Sequence, residues 1–195
     1  MRNRNVFLGL VLVTGVGVSL AACSDGPATA PAASLAPAAK PTAAGGAASY
    51  EMHYLENAIN QEEMILQMAQ ICGAKPGLHP ELAAFCQNVT GNASQAIAIM
   101  QGYLGDWYGV QNTPSLKSPD QHLLANLQSL EGADFETAYL NAMIQKDQVA
   151  VREGQRCYAR ATHTLLIAFC FNMQYAETQE ITQMRQWLCA WYGAC

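Results

Sequence analysis

The chain has 195 residues, 51% hydrophobic and 13% charged, with a formal net charge of −5. That is enough for one domain, or two small ones, with a sizeable buried core. No basic cluster appears, which excludes a sequence-independent grip on nucleic acid, and seven cysteines in so short a chain call for an oxidising compartment or a metal.

The N-terminus reads as an address. Arg2 and Arg4 precede an apolar run over residues 6–22, too short and too interrupted by glycine to be a convincing membrane span. The run ends in Leu20-Ala21-Ala22-Cys23, the pattern of bacterial lipoprotein processing, so residues 1–22 are expected to be a signal peptide and Cys23 the lipidated residue. Two or more acyl chains, palmitate-like in class, hold a soluble domain at a membrane durably. Beyond residue 22 no hydrophobic stretch is long and uncharged enough to cross a bilayer. Residues 24–49 hold eleven alanines and four prolines, with one acid and one base. They read as a disordered Ala/Pro-rich tether from residue 23 to residue 49.

The remainder of the chain is one motif used twice. Residues 79–109 and 163–193 align at an offset of 84 with 13 identities in 31 positions; ordinary residue frequencies would give about two. The shared positions include His79/His163, Phe85-Cys86/Phe169-Cys170, Met100/Met184 and both Trp-Tyr-Gly ends. Upstream the register slips by one, matching Tyr54-Leu55, Ile59, Gln70 and Cys72 to Tyr139-Leu140, Ile144, Gln155 and Cys157.

Each repeat reads as a helical hairpin. Leu55, Ala58, Ile59, Glu62, Ile65, Leu66, Ala69 and Cys72 recur at helical spacing, and Gly73, Pro76 and Gly77 end that helix. The next runs from Pro80 to Gly109, striped by Leu82, Phe85, Cys86, Val89, Ala96, Met100, Tyr103 and Trp107. Ser118-Pro119 opens a short linker helix ending near Gly132, and Asp134 is the expected N-cap of the second hairpin. β-branched alternation is absent. The fold expected is all-α, a four-helix bundle of two disulfide-stapled hairpins over residues 50–195: repeat 1 at 50–109, linker 110–133, repeat 2 at 134–195.

Cys72 and Cys86 flank their turn symmetrically, as Cys157 and Cys170 flank theirs, so each pair can staple a hairpin. Cys189 and Cys195 then pair by elimination from the 15 pairings that six cysteines allow. Zinc is the competing reading, but Cys-x13-Cys and Cys-x12-Cys are not zinc spacings. Disulfides and a lipoprotein leader together predict an extracytoplasmic location, lipid-anchored in the cell envelope and facing the periplasm or the exterior.

Glu180-Ile181-x-x-Met184-x-x-Trp187-Leu188, the stretch from Phe135 to Met143-Ile144, the Trp-Tyr-Gly ends and the tandem hairpins resemble the domain of unknown function 305 family. These are small extracytoplasmic proteins of the ferritin-like class. The resemblance implies this fold and this location, and in some members a role in handling copper or other metals. The family pattern places two adjacent histidines one residue after Met-Ile. This chain has Gln61-Glu62 and Lys146-Asp147 at those two places, and Ala96 where the family glutamate would stand in the first repeat.

Three acids nevertheless fall on apolar stripes: Glu62, Asp147 and Glu180. A buried carboxylate costs several kcal/mol unless paired or metal-bound. Met64, Met68, Met100, Met143, Met173 and Met184 supply thioethers suited to Cu(I). Glu62, Asp147, Glu180 and Met184 are therefore the candidate metal ligands of an altered, vestigial site. The structural alternative, favoured on sequence alone, is that Lys146 or Arg152 pairs the acids and the methionines fill the core. No histidine follows a glutamate by three, so a di-iron oxidase is not expected, and His79 and His163 read as capping or turn residues. No nucleophile motif such as Gly-x-Ser-x-Gly occurs, which gives enzyme activity no support. Two functions stay open: a non-enzymatic envelope lipoprotein with structural or protein-contact roles, placed first because the histidine pairs are missing, and a periplasmic or surface copper-handling protein. No cofactor is required; copper is the one candidate ion. The expected partners are the membrane, through the lipid, a metal ion, and a protein that the sequence does not identify.

Overall fold

The computed structural model describes residues 45–195, so the leader, Cys23 and most of the tether lie outside the described residues. Five α-helices occur in order: α1 Gly45–Gly73, α2 Pro80–Tyr103, α3 Ser118–Ser129, α4 Gly132–Arg160 and α5 Thr164–Tyr192. No strand occurs among the described residues. α1 with α2, and α4 with α5, form two antiparallel hairpins. α1 and α4 pack directly on each other, α3 lies across both, and α2 meets α5 through longer side chains, Phe85 against Trp187 at 5.5 Å and Tyr103 against Phe169 at 6.2 Å between ring centroids. No described helix is long and apolar enough to cross a membrane.

Two boundaries differ from the sequence expectation. α1 is already helical at Gly45, the first described residue and five before the expected start at 50, and Ala47 and Ala48 favour the helix there. α4 starts at Gly132 after Glu131, which puts Asp134 inside the first turn, where a negative side chain complements the helix dipole instead of capping it. At the end of α2 the chain continues as a π-helical turn, Leu104–Tyr108, before Gly109. Gly109 and Gly193 close their helices with φ of +69° and +68°, a left-handed conformation that only glycine adopts without cost. That is the backbone reason for the glycine of each Trp-Tyr-Gly end.

The core runs in two stretches along the bundle. One, around Met64, Met68, Leu82, Phe135, Tyr139, Leu140, Met143 and Leu188, fills the half nearer the α1–α2 turn. The other, around Leu55, Ile59, Ile97, Met100, Leu104 and Leu166, fills the half nearer the α4–α5 turn. Leu124 and Leu127 press α3 onto the first stretch. Lys75 Nζ donates to the carbonyls of Gln128 and Leu130 at 2.7 Å each and so satisfies the C-terminal end of α3.

Disulfides join Cys72 to Cys86, Cys157 to Cys170, and Cys189 to Cys195. All four hairpin half-cystines are fully buried. Each hairpin staple closes a loop of about 15 residues, which restricts the unfolded chain by about 3 kcal/mol. Replacing Cys72 and Cys86 together by serine should therefore cost about 3 kcal/mol or more in urea unfolding. A change under about 1 kcal/mol would mean that this staple contributes little to the fold.

Candidate metal centre and the clasps that position it

Two clasps of the same construction stand at opposite ends of the bundle. At the α4–α5 turn, the Glu51 carboxylate accepts from the Thr162 N–H at 2.5 Å, the His163 N–H at 3.1 Å and the Tyr108 hydroxyl at 2.5 Å, with His163 Nδ1 at 2.7 Å. The His163 ring lies flat on Trp107, 4.2 Å between centroids. At the α1–α2 turn, the Glu136 carboxylate accepts from the His79 N–H at 2.8 Å and the Tyr192 hydroxyl at 2.5 Å, with His79 Nδ1 at 2.6 Å. His79 stacks on Trp191 at 4.0 Å. In each clasp the histidine comes from one repeat, and the glutamate, tryptophan and tyrosine come from the other.

His79 and His163 do stand at the helix N-termini, but neither side chain caps its helix. Each instead gives its backbone N–H and its ring to a buried carboxylate, which is a correction to the capping reading. Burial pushes the Glu51 carboxyl upward, but the bonds from Tyr108, Thr162 and His163 outweigh it and hold the group down at about 2. Glu136 is lowered in the same way, burial being outweighed by Tyr192 and His79. Glu51 and Glu136 escaped the sequence reading, although they match across the repeat at the slipped offset of 85.

The middle of the bundle has the opposite electrostatics. Glu62 on α1, Asp147 on α4 and Glu177 on α5 are buried, and Glu180 on α5 is half-buried. Among the described residues none of the four has a basic partner. Lys146 Nζ, expected to pair with them, bonds Asp120 at 2.5 Å, and the exposed Arg152 forms no ion pair. The pairing expected from Lys146 or Arg152 is thus overturned: one is drawn outward to Asp120 and the other faces solvent. One oxygen of Asp147, one of Glu177 and the Tyr139 hydroxyl are buried without a hydrogen-bond partner. Burial, with the charge of Glu180 behind it, pushes the Glu62 carboxyl up to about 8. Burial alone takes Glu180 to about 7. Burial and the charges of Glu62, Asp147 and Glu180 take Glu177 to about 10, and Asp147 is raised by burial, Glu180 and Glu62. These four acids are near enough to feel one another. No three acidic, histidine or cysteine side chains among the described residues stand together as a ready-made metal cage.

Glu62 and Glu177 border a cavity of about 470 Å³, which Met64, Met100 and Met173 also line. Met184, the candidate ligand from sequence, is fully buried in the core instead and does not line the cavity. Glu177 was missed by sequence, although its spacing of three from Glu180 puts both on one helical face. Gln61 and Lys146, at the two places where the family pattern has histidines, are engaged: Gln61 Nε2 donates to the Lys146 carbonyl at 2.9 Å.

The two sets of acids predict opposite responses to pH. Glu62, Glu177 and Glu180 hold protons in the folded chain that the unfolded chain releases near 4.5. Their contribution is greatest below 4.5 and is lost as pH rises through about 7 and 8. Glu51 acts the other way, its contribution being present above 4.5 and lost as pH falls toward about 2. Urea unfolding of the metal-free domain should give higher stability at pH 5 than at pH 8, and Glu62→Gln should flatten that slope. Equal stability at the two pH values would contradict the buried, protonated state of the central acids.

The bundle is similar to solved structures of CopM. The Cu(I)-bound form shares 20% identity at a TM-score of 0.66, covering 73% of this chain and 98% of that one. The Cu(II)-bound form shares 18% at 0.66, over 73% and 97%; an Ag-bound form shares 20% at 0.65, over 73% and 98%. At these identities the likeness establishes the helical fold. Comparison with curated protein sequences gives no match. The family model described as Domain of unknown function (DUF305) matches residues 51–188, taking in both clasps' glutamates, both histidines and all four central acids, and the chain belongs to that family.

Proposed function

We propose that the chain is a non-enzymatic envelope protein, held to a membrane by a lipid on Cys23, whose bundle takes up a soft metal ion between thioethers and unpaired acids. The observation that carries this reading is a group of buried acids without basic partners beside soft donors. Four central acids lack a basic partner, and two of them border the cavity lined by Met64, Met100 and Met173. A cation can replace the protons these acids hold, and thioethers select Cu(I) and ions like it. The CopM structures that share this fold were solved with Cu(I), Cu(II) and silver. Cu(II) suits this chain poorly. It favours imidazole, and the two places where the family carries histidine pairs are occupied by Gln61-Glu62 and Lys146-Asp147.

Metal uptake moves ahead of the purely structural role favoured from sequence, because the expected pairing of the acids by lysine or arginine does not occur. The structural role keeps one observation in its favour: the described acids form no ready-made cage. Titration decides between the two. Under anaerobic conditions the domain should bind one Cu(I), and Met64→Leu or Met100→Leu, which nearly conserve volume, should weaken it at least about tenfold. Cu(II) should bind no more tightly than micromolar. Absence of a stoichiometric Cu(I) site would return the structural role to first place. A tight Cu(II) site lost in Glu62→Ala or Asp147→Ala would overturn the thioether assignment.

The anchor rests on Leu20-Ala21-Ala22-Cys23 and is supported by the three disulfides, which belong in an oxidising compartment. Cys23→Ser should move the protein from the membrane fraction to the soluble one. Retention in the membrane together with a wild-type mass lacking acyl groups would refute it.

A further inference from the structure

The end of the bundle at the α4–α5 turn carries a surface that neither the core nor the central acids use. Tyr158 on α4 and Phe171 on α5 pack against each other with ring centroids 5.8 Å apart, yet both stay 51% exposed. Tyr175, one turn along α5 from Phe171, is 55% exposed, and Leu165 at the start of α5 is 61% exposed. A monomer gains nothing by leaving large apolar side chains such as the packed Tyr158–Phe171 pair in water, so side chains exposed in this way mark a contact surface.

Positive charge gathers at the same end. Arg152, Arg156 and Arg160 succeed one another at intervals of four along the last turns of α4, and all three are exposed; Arg156 pairs with Glu153 at 2.7 Å, while Arg152 and Arg160 have no acidic partner among the described residues. They are three of the seven basic residues in the whole of residues 45–195, a stretch that is otherwise acidic. Spaced in this way they escape a search for basic runs, but the helix lines them up. The chain also enters the domain here. The Arg160 guanidinium lies 4.0 Å over the Tyr50 ring, and the Glu51 clasp fastens the start of α1 to this turn. Residues 24–44 are all that separate Cys23 from the first turn of α1.

We propose that this end of the domain docks on an anionic membrane surface, with Phe171, Tyr175, Tyr158 and Leu165 entering the headgroup region and the α4 arginines meeting lipid phosphates. Aromatic and leucine side chains together with arginines at one end of a domain are the residue types that settle at a membrane interface. The lipid on Cys23 would bring this end to the bilayer first, so the proposal joins the anchor reading, but its test does not depend on it. The cavity mouth, which Tyr50, His53 and Glu153 help to line, would then open near the membrane surface.

The test uses the processed chain, residues 23–195, with Cys23→Ser, so that no lipid contributes. It is sedimented with vesicles of phosphatidylcholine containing about 30% phosphatidylglycerol, and with pure phosphatidylcholine. Binding to the anionic vesicles is expected, falling steeply with added salt. Arg152→Gln should weaken it about fivefold, and Phe171→Ser about tenfold. Both positions are exposed, and circular dichroism checks that each variant stays folded. Equal binding to both vesicles, no binding to either, or full binding by the variants would overturn the proposal. Self-association of the chain that Phe171→Ser abolishes, without vesicle binding, would assign the patch to a second copy and overturn it equally.

Discussion

Glu51 and Glu136 are buried carboxylates, and each ties one hairpin to the other. A carboxylate in a protein interior costs several kcal/mol unless its oxygens are occupied, and here they are occupied by backbone N–H groups, a histidine ring and a tyrosine hydroxyl. Sliding α1 along α4 by one turn, about 5.4 Å, would strand both groups at once. The register of the central helix pair is thereby fixed. Glu62 lies eleven residues after Glu51, and Asp147 eleven after Glu136. Because the helices run antiparallel from opposite clasps, equal offsets of about 16 Å bring those two acids toward the same middle level. The central cluster is thus a consequence of the duplication together with the clasps.

The duplication is not symmetric where the chemistry lies. Glu177 and Glu180 on α5 correspond to Ala93 and Ala96 on α2, and Met64 and Met173 correspond to Val149 and Val89. The repeat-related pair Met100 and Met184 divides as well, one lining the cavity and the other buried in the core. α2 gives the middle of the bundle space and apolar surface, while α1, α4 and α5 give it charge. Burial raises all four acids, and the charges of their neighbours add to it for Glu62, Asp147 and Glu177, so Glu62 and Glu177 keep their protons at neutral pH while Glu180, at about 7, stands at the balance point. A bound cation and a set of protons are alternative ways of removing the same excess charge.

Much of the fold was legible because helical periodicity, turn residues and a 13-in-31 internal match all point the same way. The two hairpin staples came from positions that mirror each other across a turn. The clasps were not legible for a physical reason: a histidine at a helix start looks like a cap, and its true partner lies 57 residues away for His79 and 112 for His163. Burial of Glu51 and Glu136 shows only when the second hairpin is in place. At the centre, spacing placed Glu62, Asp147 and Glu180 on apolar faces, but sequence could not say where Lys146 would reach. It turns to Asp120 in α3, a helix whose packing no periodicity specifies. Met184 misled because a thioether on a buried stripe looks the same whether it faces a cavity or a leucine.

The two ends of the bundle, so alike in their clasps, differ in what surrounds them. At the α1–α2 turn Trp187, Trp191 and Tyr192 pack against the core, and α3 lies across it. At the α4–α5 turn Tyr158, Phe171, Leu165 and the α4 arginines face outward. The chain enters its bundle at that second end, since α1 begins there. That end can leave these side chains outside without loosening the core, because the Cys157–Cys170 staple and the Glu51 clasp fix the helix ends around them.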